Sequence, residues 1–467
     1  MTEEAGGRSR DVKELHVAPM LDVTYRDFRY LARLLTKRAV LWTEMVVDDT
    51  LVFGDTDMVK NHYLEFDEAE HPLICQIGSS GYNLEWTEDA SKKVRDAGYD
   101  EINLNAECPS NKVAVRRQFG AALMKKPDIS ASILNTMRCV EHDIPVSIKV
   151  RIAIDEIDAE DFLYDYIKHL IEECGCHRFY LHSRKVYTDG RYRPLQNRNV
   201  PPLNFPSVYN VCRQFPDCDF WINGGIRIIE HAKAICFGEP MHGESCEGES
   251  VVQPGHGSFP CKLCNESNGS CIAPPSPVPP NLRGCLIGRA AMENPAVLAD
   301  VDRYFYGDEC NPAQNRRQVL LRYADYLSRR YPKRCCDSDP RVSTVNVPII
   351  SDLIHDRLCQ ICGTESDNVD DDGADLLELR IAKPVIDLAM KPVLGMFYGV
   401  KGGQKRWRQI CHEVSCDDHI RNCGPAYVLR KAVDQMNPFL LDKEFELCSD
   451  EPKGDVNSNL IVNDDDV

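Results

Sequence analysis

The chain has 467 residues, of which 43% are hydrophobic and 27% charged, a composition typical of a globular protein with a large core. Its formal net charge of −18 argues against a nucleic-acid partner when taken at face value. No apolar run is long enough for a membrane span, and the first residues lack the apolar stretch of a secretory signal. We therefore expect a cytoplasmic protein, with an organelle left open, whose 22 cysteines are mostly free thiols.

The negative charge is concentrated in three segments. Residues 442–467, 364–378 and 239–283 carry net charges of −7, −7 and −3, which leaves about −1 for the remainder of the chain. Because the acidity is local, the total charge does not describe the surface around a functional site. A polyanionic partner is therefore compatible with this sequence.

Eight short apolar runs alternate with segments long enough for crossover helices. The runs occupy residues 15–20, 40–46, 73–78, 101–105, 145–151, 179–183, 220–225 and 284–289. Such alternation predicts a parallel sheet, and eight strands favour a closed (β/α)₈ TIM barrel, which is an α/β fold. Nearly every run ends in a polar or otherwise special residue, and in a barrel these ends meet on the face where active sites are built.

An all-helical unit is predicted after the barrel. We assign residues 15–305 to the barrel and 306–438 to the helical unit, with helices over 306–332, 376–398 and 404–435. A flexible start (1–14) and an acidic, disordered tail (439–467) flank them. Two insertions are predicted, at 239–283 and 333–375. The first precedes strand eight, so it should lie on the barrel face opposite the active site.

Glycines and an arginine follow the last two predicted strands. Asn223, Gly224 and Gly225 follow strand seven, and Gly288 and Arg289 follow strand eight. Backbone N–H groups at glycines can approach an anion closely, and Arg289 can neutralise it. Either group alone could be an ordinary turn, but together they indicate a site for a phosphorylated cofactor.

Three further strand ends carry polar side chains. Lys149 ends strand five inside an apolar run, where a lysine is seldom buried without a partner, and could support an electron-rich cofactor ring. Gln76 offers an amide to a flavin or pyrimidine edge, and His182 is a further donor. Each of them, taken alone, could equally be a hydrogen-bonded core residue or a solvated strand end.

Cys108 lies in the segment NLNAECPS, in the loop after strand four. Most of the cysteines should be inert packing residues, but this one stands in an expected active-site loop. A cysteine is a nucleophile as the thiolate and a general acid as the thiol. If the carboxylate of the adjacent Glu107 is close, its negative charge disfavours the thiolate and favours the acid role.

Basic and aromatic residues crowd the loop after strand six. They are Arg184, Lys185, Arg191, Arg193 and Arg198, with Tyr187 and Tyr192 between them. Arg116 and Arg117 lie in the loop after strand four, which should border the same mouth. Basic groups bind phosphates and aromatic rings stack on unpaired bases, so these loops indicate RNA binding, with a solvated charged loop as the alternative.

The order of motifs along the chain resembles the tRNA-dihydrouridine synthases. The motifs are HVAPMLDVTYRDFRYLARLL, LWTEMV, EHPLICQIG, GYDEINLNAECPS, FGAALM, SIKVRI, LHSRK, QNRNVPPL, WINGGI and LIGRAAMENP. The likeness is strongest to the bacterial A-type, which acts on uridines 20 and 20a of the tRNA D-loop. KPVLGMFYGVKGGQKRWRQI (391–410) resembles the helical tRNA-binding region of that type.

The resemblance implies an FMN enzyme that reduces the C5=C6 bond of a tRNA uridine with NADPH. We also expect a monomer without membrane attachment. FMN would be held by Pro19, Met20, Leu21, Gln76, Lys149, His182, Asn223, Gly224, Gly225, Gly288 and Arg289. Cys108 would be the general acid that protonates C5 after a hydride passes from flavin N5 to C6. The uridine or nearby tRNA would be approached by Asn105, Arg184, Lys185, Asn197 and Arg198.

The sequence departs from the family pattern at several points. Glu107 stands where the family has glycine before the cysteine, and Leu195 stands where a basic residue is usual. The insertions have no bacterial counterpart. Their cysteines could form two zinc sites or remain free thiols, so no metal site is assigned. The cysteines concerned are Cys246, Cys261, Cys264 and Cys271 in the first insertion, and Cys335, Cys336, Cys359 and Cys362 in the second.

Two rival functions follow from the same residues. One is an FMN barrel dehydrogenase that acts on a free pyrimidine or another small molecule. The helical unit and the basic loop argue against it, because a small substrate requires neither. The other is a catalytically impaired RNA-binding relative, suggested by Glu107 and Leu195. The joint presence of Cys108, Lys149 and His182 argues against it.

Overall fold

A computed structural model describes residues 12–56, 59–109, 119–139, 144–157, 159–238, 277–331 and 385–445. Several predictions fall outside these ranges: the cysteines of both insertions, Arg116 and Arg117, and the tail beyond residue 445. The side chain of Leu195 is not described either. Within the described ranges, no helix is both long and apolar enough to cross a membrane.

Eight parallel strands form one sheet in the order β1-β8-β7-β6-β5-β4-β3-β2. They are β1 Glu14–Val17, β2 Leu41–Val47, β3 Leu73–Gly78, β4 Glu101–Ala106, β5 Val146–Arg151, β6 Arg178–His182, β7 Asp219–Asn223 and β8 Leu282–Ile287. The ends of the sheet meet at Val40, which accepts a hydrogen bond from the N–H of Val17 (2.9 Å) and donates one to the carbonyl of Leu15 (3.0 Å). The sheet is therefore closed, and the predicted (β/α)₈ barrel is confirmed.

Helices follow most strands and cover the outside of the barrel. They are α1 Arg26–Leu35, α2 Asp48–Phe53, α3 Leu84–Asp96, α4 Pro127–Arg138, α5 Ala159–Cys174, α6 Pro194–Asn197, α7 Phe205–Gln214, α8 Ile229–Phe237 and α9 Arg289–Glu293. Every residue of β3, β4 and β5 is buried, as expected for strands covered on both faces.

Aromatic side chains fill the middle of the barrel. Tyr180 on β6 stacks on Trp221 of β7, with ring centroids 4.6 Å apart, and meets Trp42 of β2 edge-on at 4.7 Å. All three are almost completely buried and form an apolar cluster separate from the main core between sheet and helices. The interior is thus a packed layer rather than a pore, and polar groups gather above it, towards the carboxyl ends of the strands.

The helical unit comprises α10 Arg316–Arg330, α11 Gln404–Cys416, α12 Asp418–Arg421, α13 Pro425–Gln435 and α14 Pro438–Asp442, and residues 385–390 are also helical. Asp27 on α1, almost fully buried, joins this unit to the barrel. Its carboxylate accepts hydrogen bonds from the hydroxyls of Tyr326 and Tyr331, both at 2.7 Å, and pairs with Arg330 (2.9 Å). One hydrophobic core runs through both parts of the chain.

Two predicted boundaries in this unit need correction. The helix expected over 306–332 begins only at Arg316, since Gly307 has a φ of 78° and Pro312 follows. The tail was expected from residue 439, but residues 439–445 belong to the fold, because Leu441 and Phe445 are buried and the N–H of Phe445 donates to the carbonyl of Gln314 (3.0 Å). The acidic composition of this segment had suggested disorder, although it contains the two buried apolar residues Leu441 and Phe445.

Candidate active site

A ladder of buried polar side chains crosses β3, β4 and β5, from Asn105 near the carboxyl end of β4 to Ser147 near the start of β5. Asn105 Nδ2 donates to Gln76 Oε1 (2.9 Å), Gln76 Nε2 donates to Asn103 Oδ1 (2.9 Å), and Asn103 Nδ2 donates to Ser147 Oγ (2.8 Å). The ladder holds Gln76 in one orientation and still leaves one of its amide hydrogens and one lone pair for a ligand. The sequence predicts Asn103 as a polar strand end, but it does not predict Ser147 or these contacts, since only the barrel brings the strands side by side.

Cys108 stands in a loop that Asn105 shapes. The Oδ1 atom of Asn105 accepts hydrogen bonds from the N–H groups of Glu107 (3.3 Å) and Cys108 (3.2 Å). The carbonyl of Cys108 in turn accepts from the N–H of Ala121 (3.0 Å). Cys108 is half-buried, and both sides of its backbone are held at the mouth of the barrel.

Glu107 turns its carboxylate into the barrel. It forms an ion pair with Lys149 of β5 and accepts a hydrogen bond from Nδ1 of His182 on β6 (3.3 Å). Lys149 is 1% exposed and also donates to Oδ1 of Asn223 on β7 (3.2 Å). The side chains of Glu107, Lys149, His182 and Asn223 therefore connect the ends of β4, β5, β6 and β7. The carboxylate of Glu107 balances the charge of Lys149.

Burial and charge shift the pKa values of this cluster. Burial alone would raise the pKa of Glu107, but the Lys149 charge and the His182 hydrogen bond outweigh it, so its pKa is lowered and the group is ionised. Burial lowers the pKa of Lys149 and lowers that of His182 to about 3. Because His182 is then neutral, its Nδ1 carries the hydrogen that Glu107 accepts.

Arg151 is a second buried cation, two residues after Lys149 on the same strand and 2% exposed. Its Nη1 donates to the carbonyl of Asn197 (3.1 Å). Burial lowers its pKa, while the charge of Glu107 opposes the shift. No role was predicted for Arg151 from the sequence. The signal was available, because alternate residues of a strand share a face and a buried charge requires a partner.

The two glycine-containing strand ends lie side by side. Asn223 Nδ2 donates to the carbonyl of Leu286 on β8 (3.0 Å), which ties β7 to β8. Gly224 and Gly225 have φ values of 114° and 72°, and a Cβ on Gly225 would lie 2.4 Å from Leu203. Only glycine suits these two positions. Gly288 opens towards Met20, whose Sδ would be 3.9 Å from a Cβ built there.

The other residues predicted here lie around this rim. Arg289 reaches the loop after β6, where Nη2 donates to the carbonyl of Arg198 (3.3 Å). Met20 is half-buried, with its N–H bonded to Thr24 Oγ1 (3.0 Å). Pro19 is also half-buried, and Leu21 is exposed. The structure thus brings the predicted phosphate-binding residues to one side of the mouth.

The loop after β6 is folded around Asn197. This residue is fully buried, and its amide bonds the N–H of Tyr187 (2.8 Å) and the carbonyls of Tyr187 (2.9 Å) and Tyr192 (3.3 Å). Asn197 therefore shapes the loop from within rather than facing RNA. Arg191 pairs with Asp189 and Glu156, so part of the predicted basic charge is neutralised locally.

The remaining basic residues of this loop lie nearer its surface. Arg184 Nη1 donates to the carbonyl of Pro201, and Lys185 lies over the ring of Tyr187, 6.0 Å from its centroid. Arg198 is exposed. Across the described part of the chain, no group of three or more histidine, cysteine or carboxylate side chains has an arrangement that would hold a metal ion.

A family model described as "Dihydrouridine synthase (Dus)" matches residues 16–246. The tRNA-dihydrouridine(20/20a) synthase of Vibrio cholerae is 36% identical over 315 residues, which cover 68% of this chain and 80% of that protein. The protein of the same name from Escherichia coli K12 is 36% identical over 313 residues, covering 67% and 75%. Among solved structures, morphinone reductase has a TM-score of 0.39 at 11% identity over 64% of this chain and 87% of that one, too distant for a functional comparison.

Proposed function

Because the chain belongs to the dihydrouridine synthase family, we propose that it is an enzyme that reduces a D-loop uridine of tRNA to dihydrouridine, with FMN as cofactor and NADPH as reductant. The observation that carries the proposal is the placement of Cys108. It stands at the barrel mouth on a loop that Asn105 holds, beside the buried cations Lys149 and Arg151. A proton donor and cations at one barrel mouth are what reduction of a polarised C=C bond requires.

The residues of this chain fit a phosphorylated flavin. The adjacent glycines with positive φ leave backbone beside β8 that a phosphate could approach, and Arg289 lies at the same rim. Two buried polar atoms near the mouth, Arg151 Nε and Ser183 Oγ, have no hydrogen-bond partner within the described part of the chain. A polar ligand would satisfy them, which supports a cofactor with several hydrogen-bonding groups.

Lys149, His182 and Gln76 would hold the ring system, and the glycine rim with Arg289 would hold the phosphate. Bound FMN would supply the hydride that adds to C6 of the uracil. Cys108 would give its proton to C5. Arg151 and Lys149 would stabilise negative charge that develops on the uracil carbonyls, since buried cations act strongly where water is excluded.

The surface around the mouth supports an RNA substrate. On α11, Trp407 and Ile410 face the core, whereas Lys401, Lys405, Arg406 and Arg408 are exposed on and just before this helix. The unit also reaches the mouth, because Lys391 Nζ donates to the carbonyl of Asp22 in the loop after β1 (2.6 Å). Clustered lysine and arginine side chains are typical of surfaces that contact phosphates.

Two measurements test the proposal against its rivals. The purified protein should show a visible flavin absorption band, and dihydrouridine should appear in tRNA from cells that lack the enzyme once protein and NADPH are added. A colourless protein that binds no FMN would contradict the cofactor assignment and favour an impaired RNA-binding protein. Consumption of free uridine or uracil, with tRNA unchanged, would favour the small-molecule dehydrogenase.

A further inference from the structure

The carboxylate of Glu107 lies among the side chains that are proposed to hold the flavin ring. It pairs with the amine of Lys149 and accepts a hydrogen bond from Nδ1 of His182 (3.3 Å). The backbone N–H of Glu107 donates to Oδ1 of Asn105 (3.3 Å), and Nδ2 of Asn105 donates to Gln76 (2.9 Å). Glu107 is therefore linked to all three of the ring-holding residues, although the proposed reaction gives it no role.

This carboxylate is negatively charged and mostly withdrawn from water. Its side chain is only 15% exposed, and burial alone would raise its pKa, but Lys149 and His182 lower the pKa below its usual range. Charges interact strongly where water is excluded. Burial lowers the pKa of both Lys149 and Arg151, and the charge of Glu107 opposes the shift at both. The carboxylate therefore acts on each buried cation of the site.

Glu107 changes the charge balance at the proposed ring site. Lys149 and Arg151 are almost fully buried, and His182 is neutral because burial lowers its pKa to about 3. With glycine at position 107, as in the family pattern, this cluster would hold two cations and no anion. In this chain a carboxylate offsets one of the two cations.

The balance matters because reduction changes the charge of a flavin. NADPH transfers a hydride, which is two electrons and one proton, to oxidised FMN and leaves as NADP⁺, so the ring system gains one negative charge. Cations nearby favour this reduced form, and a carboxylate opposes it. A flavin that holds its electrons less tightly gives the hydride more readily to C6 of the uracil. Cys108 then supplies the proton to C5, and oxidised FMN is restored.

We propose that Glu107 lowers the reduction potential of the bound flavin and so makes it a stronger hydride donor to the uridine. Glu107 acts through the flavin and is not itself a proton donor in this scheme. The inference rests on the proposed function, because it takes FMN to bind beside Lys149 and His182. A purely structural role for Glu107, as the partner of a buried lysine, would affect stability but leave the potential unchanged.

The test measures the midpoint potential of the FMN complex by slow reduction beside a redox dye of known potential, without tRNA or turnover. Glu107→Gln should raise the potential. If reduced FMN gains about tenfold more affinity than oxidised FMN, the shift is about 30 mV for a two-electron couple. Glu107→Asp retains the charge and should stay close to the parent. Glu156→Gln is the matched control, because that carboxylate is 75% exposed and pairs with Arg191.

A second variant covers the case that Glu107→Gln does not fold. Glu107→Gly has the residue of the family pattern, and bound FMN would replace the carboxylate as the partner of Lys149. This variant should therefore fold as the FMN complex, and its potential should rise in the same direction.

The outcomes separate this inference from the function on which it rests. A potential that is unchanged or lowered in the folded Gln or Gly variant would overturn the inference, even if the enzyme forms dihydrouridine. A rise in Glu107→Asp as large as in Glu107→Gln would also overturn it, because shape rather than charge would then set the potential. A raised potential in a flavoprotein that forms no dihydrouridine would refute the proposed activity and support this inference. A protein that binds no flavin would overturn both.

Discussion

Glu107→Gln should lower the free energy of unfolding, because Lys149 is then buried without its negatively charged partner. The substitution keeps the shape of the side chain but removes the negative charge from a pair whose members are 15% and 1% exposed. Removing one partner of a buried pair typically costs about 3–5 kcal/mol, because the other charge remains buried without compensation. That is a large part of the 5–15 kcal/mol that stabilises most proteins, so the flavin-free variant should unfold at clearly lower urea concentration.

The loss of folding stability in Glu107→Gln should depend on pH. Burial already lowers the pKa of Lys149, and the Glu107 charge opposes that shift, so the variant's lysine should titrate at a still lower pH. A folded-state pKa below the unfolded value means that the folded protein binds fewer protons, and stability then rises with pH between the two values. The deficit of Glu107→Gln should therefore shrink as the pH is raised from 7 towards 9.

The same variant should bind FMN more tightly. Glu107 pairs with the amine of Lys149, which also donates to Asn223, the residue before the glycines where the phosphate is proposed to bind. Removing the Glu107 charge leaves Lys149 available to FMN and removes the repulsion between the carboxylate and the phosphate. A gain of about 1.4 kcal/mol in binding free energy would tighten FMN binding tenfold. Quenching of flavin fluorescence on titration gives the dissociation constant.

A matched control makes the Glu107 result interpretable. Glu156→Gln removes a carboxylate that is 75% exposed and pairs with Arg191 in the neighbouring loop, so stability and FMN affinity should hardly change. If Glu107→Gln unfolds at the same urea concentration as the parent and binds FMN equally, the pairing of Glu107 with Lys149 is not what holds this site.

Four further predictions address other parts of the chain. Cys108→Ala should retain FMN but reduce uridine about 10²–10⁴-fold more slowly, since the proton donor is lost; equal turnover would refute the general-acid role. The pKa of His182 is lowered to about 3, so the unfolded chain binds its proton between pH 6.5 and 5 while the folded protein does not, and stability falls as the pH falls. His182→Gln should reduce that fall by about 1.4 kcal/mol per pH unit. An unchanged pH dependence in urea titrations would refute this. Asp27→Ala should lower the free energy of unfolding by about 3–5 kcal/mol and speed proteolysis between residues 307 and 315. The control Asp325→Ala, at a largely exposed position, should do neither. Equal digestion rates would show that Asp27 does not hold the helical unit. Replacing residues 239–276 by a short linker should leave tRNA reduction intact, because Gly238 follows α8 and residue 277 precedes β8, away from Cys108; a folded deletion protein without turnover would contradict that topology.

The sequence alone was sufficient to predict the barrel and the side of it that carries the site. Eight apolar runs with polar ends are a local pattern, and parallel strands have one way of bringing those ends together. Lys149, His182, Cys108 and the Gly224–Gly225 pair were therefore predictable as neighbours. The family motifs added the chemistry, since no single strand end indicates a flavin.

Only the tertiary structure decided what the charges do. Glu107 was predicted to influence Cys108, but its carboxylate pairs with Lys149 and His182, and the neighbouring Arg151 was not given a role. Asn197 faces inward, and residues as late as Phe445 belong to the fold. The physical reason is common to all of these cases. A local pattern predicts whether a residue is buried, whereas the partner of a buried polar group comes from a distant strand and is set by packing.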